Sequence, residues 1–123
     1  MSYIIKMEYI SYEEFKKMNI RVGTIKEVKE VPETDKLLCF QIDFGEVDEE
    51  GNKKLRQIVS GLHEYYPDFE KLVGKQLLYI INLEPRKIKG YESNGMLMAV
   101  DGVDGRPIFL VPETEALSGA RVH

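Results

Sequence analysis

A short apolar run that stops at a cationic, proline-containing segment constrains the fold of this chain more than any other feature. Leu77–Ile81 has the length of a buried strand and falls far below the roughly 20 residues of a membrane-spanning helix. Pro85 lacks a backbone donor and restrains the residue before it, so we expect the strand to stop near Glu84. A polar, cationic loop then follows, made of Arg86, Lys87, Lys89, Gly90, Ser93, Asn94 and Gly95. Such a loop predicts a surface for a phosphate backbone, with a solvated turn as the alternative.

The residues before this loop predict a short helix and a long, bent strand. Ser11 and Glu14 have the spacing of a capping box, which predicts a helix over Tyr12–Met18. Ile20–Val31 is rich in β-branched residues, and its alternation changes phase after Gly23, as expected for a β-bulge.

The remaining patterns indicate further strands and one helical connection. Leu38–Phe44 alternates cleanly, with Cys39 expected to pack rather than react, and Lys54–Val59 follows an acidic loop. Apolar residues between Gly61 and Gly74 have approximate helical spacing, interrupted by a proline. Two final runs around an Asp-Gly turn predict a closing hairpin over Met96–Val100 and Ile108–Val111.

This order of elements predicts a mainly all-β fold. We expect a five-stranded OB-fold barrel with a short N-terminal helix, a helical connection between strands 3 and 4, and a C-terminal extension. A length of 123 residues suits one domain with one core. The single cysteine excludes an internal disulfide, and no cysteine and histidine cluster has zinc spacing, so we expect neither metal nor cofactor. The charged opening segment lacks a secretory apolar region, which favours a cytoplasmic protein.

Charge is distributed unevenly along the chain. The net charge is −4, whereas nucleic-acid binders are often basic. Residues 51–100 nevertheless carry 8 basic and 5 acidic side chains, against 7 and 12 in residues 1–50. Positive charge is thus concentrated in the half that contains the cationic loop, and we expect modest affinity for a polyanion.

No recognisable catalytic constellation is present in the sequence. Ser60 lacks the flanking pattern of a nucleophile elbow, and neither His63 nor His123 belongs to a nucleophile and base pair. The glycines fit neither phosphate-loop template. We therefore expect a protein that is not an enzyme.

Four motifs, in order along the chain, carry a resemblance to a known family. They are the opening Phe15–Gly23, the DKL element at Asp35–Leu37, the R-x-IVSG strand end at Arg56–Gly61, and NL-x-P-x-K…G…S-x-G-M at Asn82–Met96. Together they resemble the tRNA-binding domain appended to many methionyl-tRNA synthetases, over roughly Glu14 to His123. The family's HP-x-A-DKL form is here Val31–Leu37 without the histidine and alanine, so a contact made by that histidine is not carried over.

The resemblance implies a division into an N-terminal extension, residues 1–13, and a tRNA-binding OB-fold domain, residues 14–123. It implies structure-dependent tRNA binding in protein biosynthesis, as a free-standing protein or a beta subunit that assists methionyl-tRNA synthetase. Phosphate contacts are expected from Arg86, Lys87 and Lys89, and hydrogen bonding or loop shaping from Asn82 and Ser93. Lys36 and Arg56 lie inside matching motifs and are further candidates for tRNA binding.

Three further expectations concern partners. Free-standing relatives dimerise, and residues 1–10 contain many apolar side chains, so we expect a homodimer. A different class of function comes from CsaA-type secretion chaperones, which share this fold and bind peptides, although the Ser93–Met96 loop follows the synthetase pattern. A subunit that docks a synthetase without contacting RNA is the third alternative.

Overall fold

The computed structural model describes residues 3–123, so Met1 and Ser2 of the predicted N-terminal extension lie outside the described residues. The chain is mainly β, with one short α-helix and one 3₁₀ helix in the described part. In chain order the elements are α1 Tyr12–Lys16, β1 Ile20–Glu30, β2 Leu38–Val47, β3 Lys53–Ser60, the 3₁₀ helix Phe69–Leu72, β4 Gln76–Ile80, β5 Arg86–Ile88, β6 Tyr91–Ser93, β7 Met96–Leu97, β8 Ala99–Asp101 and β9 Pro107–Phe109.

One curled antiparallel sheet, in the order β3-β2-β1-β4-β7, forms the body of the molecule. Strand β1 pairs with β4 along its first half and with β2 along its second half. A bulge at Lys26 separates the pair Ile25 and Ile42 from the pair Glu27 and Gln41. The bulge bends the strand between its two partners, as predicted, but it lies three residues after Gly23.

The sheet curls into a half-barrel consistent with the predicted OB-like fold, and the segment before β7 contacts β3 across its open side. The backbone N–H of Asn94 donates to the carbonyl of Gln57 at 2.8 Å. The N–H of Val59 donates to the hydroxyl of Ser93 at 3.0 Å. These bonds satisfy edge groups of β3 that would otherwise be open to another chain.

The barrel interior holds the main core. Ile25, Ile42, Leu77 and Tyr79 are almost completely buried, and the Tyr79 ring meets Phe44 edge to face at 5.3 Å. Full burial of such a side chain contributes about 1.5–3 kcal/mol. A smaller cluster of Val31, Cys39 and Val59 is covered by two residues of the β5–β6 hairpin, Ile88 and Tyr91. Cys39 therefore packs, as predicted, and burial raises the pKa of its thiol.

The predicted capping box is present at the start of α1. The Ser11 hydroxyl accepts from the N–H of Glu14 at 3.1 Å, and the Glu14 carboxylate accepts from the N–H of Ser11 at 3.3 Å. The helix ends at Lys16, two residues earlier than expected. The predicted helical connection contains one 3₁₀ turn, which begins two residues after Pro67.

Two differences concern the last part of the chain. The expected strand Met96–Val100 is divided into β7, which joins the main sheet, and β8, which pairs with β9. Residues 116–122 run beside β1, where Val22 donates to the carbonyl of Ala120 at 2.9 Å and accepts from the N–H of Gly119 at 2.7 Å. At Gly119 a Cβ would collide with the carbonyl of Phe44, so only glycine fits this close approach.

Among residues 3–123 there is no helix whose length and apolar character would let it cross a membrane.

Candidate nucleic-acid interface

The cationic segment is a β-hairpin rather than the loop that the sequence predicts. Strands β5 and β6 pair Arg86 with Ser93, Lys87 with Glu92 and Ile88 with Tyr91. The turn consists of Lys89 and Gly90, with φ values of 52° and 84°. Two positive φ values suit a type I′ turn, whose twist matches that of the flanking strands.

The hairpin holds its cations at the surface because its apolar residues are anchored below. Ile88 and Tyr91 pack on the Val31, Cys39 and Val59 cluster, while the three cationic residues are exposed. Within residues 3–123, no carboxylate lies within 4.0 Å of the charged groups of Arg86, Lys87 or Lys89. These side chains are therefore available to an external anion.

A groove of about 440 Å³ separates the tip of this hairpin from the β1–β2 turn. We call it the hairpin groove. Its lining residues are Glu33–Leu37, Ile88 and Lys89. It brings Lys36 and Lys89 to one depression, although they are far apart in sequence. The turn is held by Thr34, whose hydroxyl donates to the Val31 carbonyl at 3.1 Å and accepts from the N–H of Leu37 at 3.3 Å. Loops at this end of OB-folds commonly hold oligonucleotides.

Arg86 does not line the hairpin groove. It borders a smaller cavity of about 90 Å³, walled by apolar side chains including Leu83, Met96 and Leu97. Arg86 and Lys89 therefore face two separate depressions, and Lys87 lies between them on β5.

Ser93 and Asn82 bind groups of their own chain. Ser93 is buried, and its hydroxyl accepts from Val59 on β3. The side-chain oxygen of Asn82 accepts from the N–H of Asn19 at 2.9 Å, and its amide nitrogen donates to the carbonyl of Lys17 at 2.6 Å. Ser93 thus fixes the base of the hairpin, and Asn82 ties the end of β4 to the segment between α1 and β1.

Arg56 is also committed to internal partners. It donates to both carboxylate oxygens of Glu46, at 3.0 and 2.8 Å, and to the carbonyls of Ile81 and Asn94, at 2.8 and 3.1 Å. The hydrogen bond from Arg56 lowers the pKa of Glu46 below its usual range. The guanidinium therefore joins β2, β3 and the segments before and after the hairpin.

The seven sequence-predicted site residues thus separate into two groups. Lys36, Arg86, Lys87 and Lys89 are exposed cations around the hairpin, whereas Asn82, Ser93 and Arg56 hold the surrounding backbone. The structure adds a polar depression of about 280 Å³ beside β3, where Lys54, Gln57 and Asn94 line one surface. No motif or spacing in the sequence indicated that these three side chains meet. Across residues 3–123, no group of three or more His, Cys, Asp or Glu residues could hold a metal ion.

The chain is similar to known proteins over nearly its whole length. Residues 20–121 match the family model described as "Putative tRNA binding domain". The chain is similar to the methionine–tRNA ligase of Thermococcus kodakarensis, with 44% identity over 119 residues, which is 96% of this chain and 15% of that protein. The chain therefore spans only about 15% of the length of such relatives.

Two solved structures resemble the fold closely. A MetRS related protein from Pyrococcus horikoshii has a TM-score of 0.81 and 34% identity, over 95% of this chain and 100% of that one. The chaperone CsaA from Bacillus anthracis has a TM-score of 0.75 over 94% of this chain and 100% of its own. At 23% identity, the latter likeness concerns the fold alone.

Proposed function

The chain belongs to the tRNA-binding domain family, and on that premise we propose that it binds tRNA through the β5–β6 hairpin and the hairpin groove. The observation that supports this proposal is a hairpin with three exposed cationic side chains. Within the described residues, none of them has a carboxylate within 4.0 Å of its charged group. In this proposal Arg86, Lys87, Lys89 and Lys36 contact phosphates.

The proposed mechanism depends on fixed positions of charge. Phosphate contacts set the register and orientation of a bound nucleic acid but carry no base sequence. The partly buried pair Ile88 and Tyr91 fixes the hairpin against the barrel, so its cations would match an arrangement of phosphates set by the tRNA fold. Asn82, Ser93 and Arg56 act in this proposal by shaping the backbone around the hairpin.

The wider role follows from the relatives. We propose a cytoplasmic, non-catalytic tRNA-binding protein of protein biosynthesis, free-standing or acting as a beta subunit with methionyl-tRNA synthetase. Similarity to the P. horikoshii MetRS related protein over its whole length supports this assignment. We also propose a homodimer, because apolar residues at positions 3–10 are 62–91% exposed.

Peptide binding, as in a CsaA-type chaperone, is the second candidate. It is favoured by exposed apolar side chains on the β8–β9 hairpin, among them Val100, Val103 and Ile108. Large exposed apolar groups suit an extended peptide better than a phosphate backbone. The cationic hairpin has no evident use in that function, which is why tRNA binding is preferred.

The test replaces Arg86, Lys87 and Lys89 together by Gln and measures affinity for bulk tRNA against salt concentration. Each neutralised phosphate contributes roughly 0.7–0.9 to the slope of log affinity against log salt, so the slope should shrink by about two to three units. Thermal stability should barely change, because exposed charges contribute at most about 1 kcal/mol each.

A variant with Lys6, Lys17 and Lys26 changed to Gln is the matched control, since it removes the same charge from exposed positions away from the hairpin groove. It should keep a salt slope within about one unit of the original chain. If the hairpin variant folds and retains the original slope, the proposed site is wrong. An unfolded peptide that binds where tRNA does not would favour the chaperone function instead.

A further inference from the structure

A second cationic depression lies between the helical connection and the β8–β9 hairpin. It measures about 270 Å³, and we call it the Arg106 groove; its chemistry comes from Tyr65, Tyr66, Asp68, Lys71, Lys75 and Arg106. It shares no lining residue with the hairpin groove. The proposed tRNA contacts therefore leave it unused.

An aromatic stack fixes the position of Arg106. The ring of Tyr66 stacks on Phe109 with centroids 4.7 Å apart, and its hydroxyl donates to the carbonyl of Pro107 at 2.8 Å. The guanidinium carbon of Arg106 lies 4.6 Å from the centroid of the Tyr66 ring. Stacking orders the guanidinium while leaving its N–H groups available to an acceptor such as phosphate.

The charges around Arg106 favour an anion. Within the described chain, no carboxylate lies within 4.0 Å of the guanidinium of Arg106 or the ammonium of Lys75. The Asp104 carboxylate instead accepts from the backbone N–H of Arg106 at 3.0 Å. Lys71 pairs with Asp68 at 3.6 Å, but both side chains are about four-fifths exposed, so this pair is weak. Three cations thus face one carboxylate, in a chain whose net charge is negative.

We propose that the Arg106 groove is a second phosphate-binding surface for RNA, used by the same tRNA that contacts the hairpin. This inference rests on the proposed function. An extended phosphodiester backbone suits the groove because it can meet Arg106, Lys71 and Lys75 with successive phosphates, whereas a single small anion would leave part of the charge unmatched.

The test is a variant with Lys71, Lys75 and Arg106 changed to Gln, compared with the hairpin variant. Its control changes only Lys6 and Lys17, because Lys26 lines a depression together with Lys75. For tRNA, the slope of log affinity against log salt should shrink by about two units. Combining the two triple changes should reduce the slope by about the sum of the separate effects. Thermal unfolding checks that each variant folds.

A second variant separates loss of charge in the groove from loss of the stack between Arg106 and Tyr66. Changing only Lys71 and Lys75 leaves that stack intact, and it should still shrink the slope by about one unit or more. If the variant with Lys71, Lys75 and Arg106 changed to Gln folds and keeps the original slope, the Arg106 groove does not bind tRNA. If the hairpin variant has a reduced slope in the same experiment, the proposed function still stands. If an acidic peptide competes for this groove as strongly as tRNA does, RNA is not its specific ligand. Absence of tRNA binding by the original chain overturns both proposals.

Discussion

The guanidinium of Arg56 meets four acceptors on its own chain, two of them the carboxylate oxygens of Glu46. The other two are carbonyls of Ile81 and Asn94, which flank the cationic hairpin in sequence. Loss of the side chain would leave these groups without their partner, in a site where Arg56 is only 22% exposed. Arg56 therefore stabilises the contact between β3 and the segments that flank the hairpin.

Changing Arg56 to Gln should lower the free energy of unfolding at pH 7 by about 2 kcal/mol, because partly buried acceptors and a carboxylate lose a charged donor. The loss should be smaller at pH 3, and the part that comes from the carbonyls of Ile81 and Asn94 should remain. The pKa of Glu46 is lowered in the folded state, so its stabilisation is present above its ordinary value of about 4.3 and is lost as pH falls through the folded value. Urea unfolding at both pH values measures the difference.

Changing Lys29 to Gln provides the control, since this residue of β1 is exposed, has no ion pair within residues 3–123 and is not among the groups that shift the pKa of Glu46. It should change the free energy of unfolding by less than about 0.5 kcal/mol. An Arg56→Gln effect of equal size at pH 7 and pH 3 would contradict a contribution from the Glu46 pair.

Local and distant contacts differ in how well the sequence reveals them. The capping box of Ser11 and Glu14 spans three residues, so its spacing is visible in the chain. Ser93 meets Val59 across 34 residues, and Asn82 meets Asn19 across 63. Nothing in the pattern around either residue indicates such partners, which is why both resemble ligand contacts before the fold is known.

At the scale of elements, the strands with clear apolar patterns are the ones the sequence predicts. Strands β1 to β4 lie close to their expected positions because alternation marks β2, β-branched residues mark β1, and a continuous apolar run marks β4. Strands β5 and β6 contain three residues each, and their Lys-Gly turn lacks the usual Asn or Asp before glycine. The pairing depends on tertiary packing by Ile88 and Tyr91.

The N-terminal segment is the least covered element of the described chain. Its large apolar side chains are Tyr3, Ile4, Ile5, Met7, Tyr9 and Ile10, and residues 3–10 form no helix or strand. We expect the intact chain to be a dimer at micromolar concentration, because pairing would remove this apolar surface from water. A variant lacking residues 1–10 should be monomeric, as measured by light scattering.

Thermal unfolding of the shortened variant separates dimerisation from folding. The segment contributes no residue to the barrel core, so the variant should remain folded. A monomeric intact chain would refute the dimer, and an unchanged dimer after truncation would exclude this segment as its interface.

For the whole molecule, the proposed contacts lie on separate parts of one barrel. The hairpin groove and the Arg106 groove share no residue, and both lie on a body formed by one curled five-stranded sheet. A ligand that reaches both must present phosphates in a fixed three-dimensional arrangement. Folded tRNA should therefore compete better for the chain than duplex RNA of the same length.

The measurement is displacement of labelled tRNA by unlabelled competitors at constant salt, because phosphate contacts are strongly salt-dependent. Single-stranded RNA of matched length is the control for charge without fixed shape. Equal displacement by tRNA and duplex would reduce the function to binding of any polyanion.

The pairing of residues 116–122 with β1 has a consequence for how the chain acquires its structure. Val22 and Ala120 are bonded although nearly the whole sequence separates them, and Arg121 donates to the carbonyl of Lys16 at 2.7 Å. Contacts between such distant positions slow folding, since a long loop must close before they form. During synthesis, β1 emerges from the ribosome before residues 116–122 and must wait for them before this edge is paired. A nascent chain stalled before them would expose that edge to other strands.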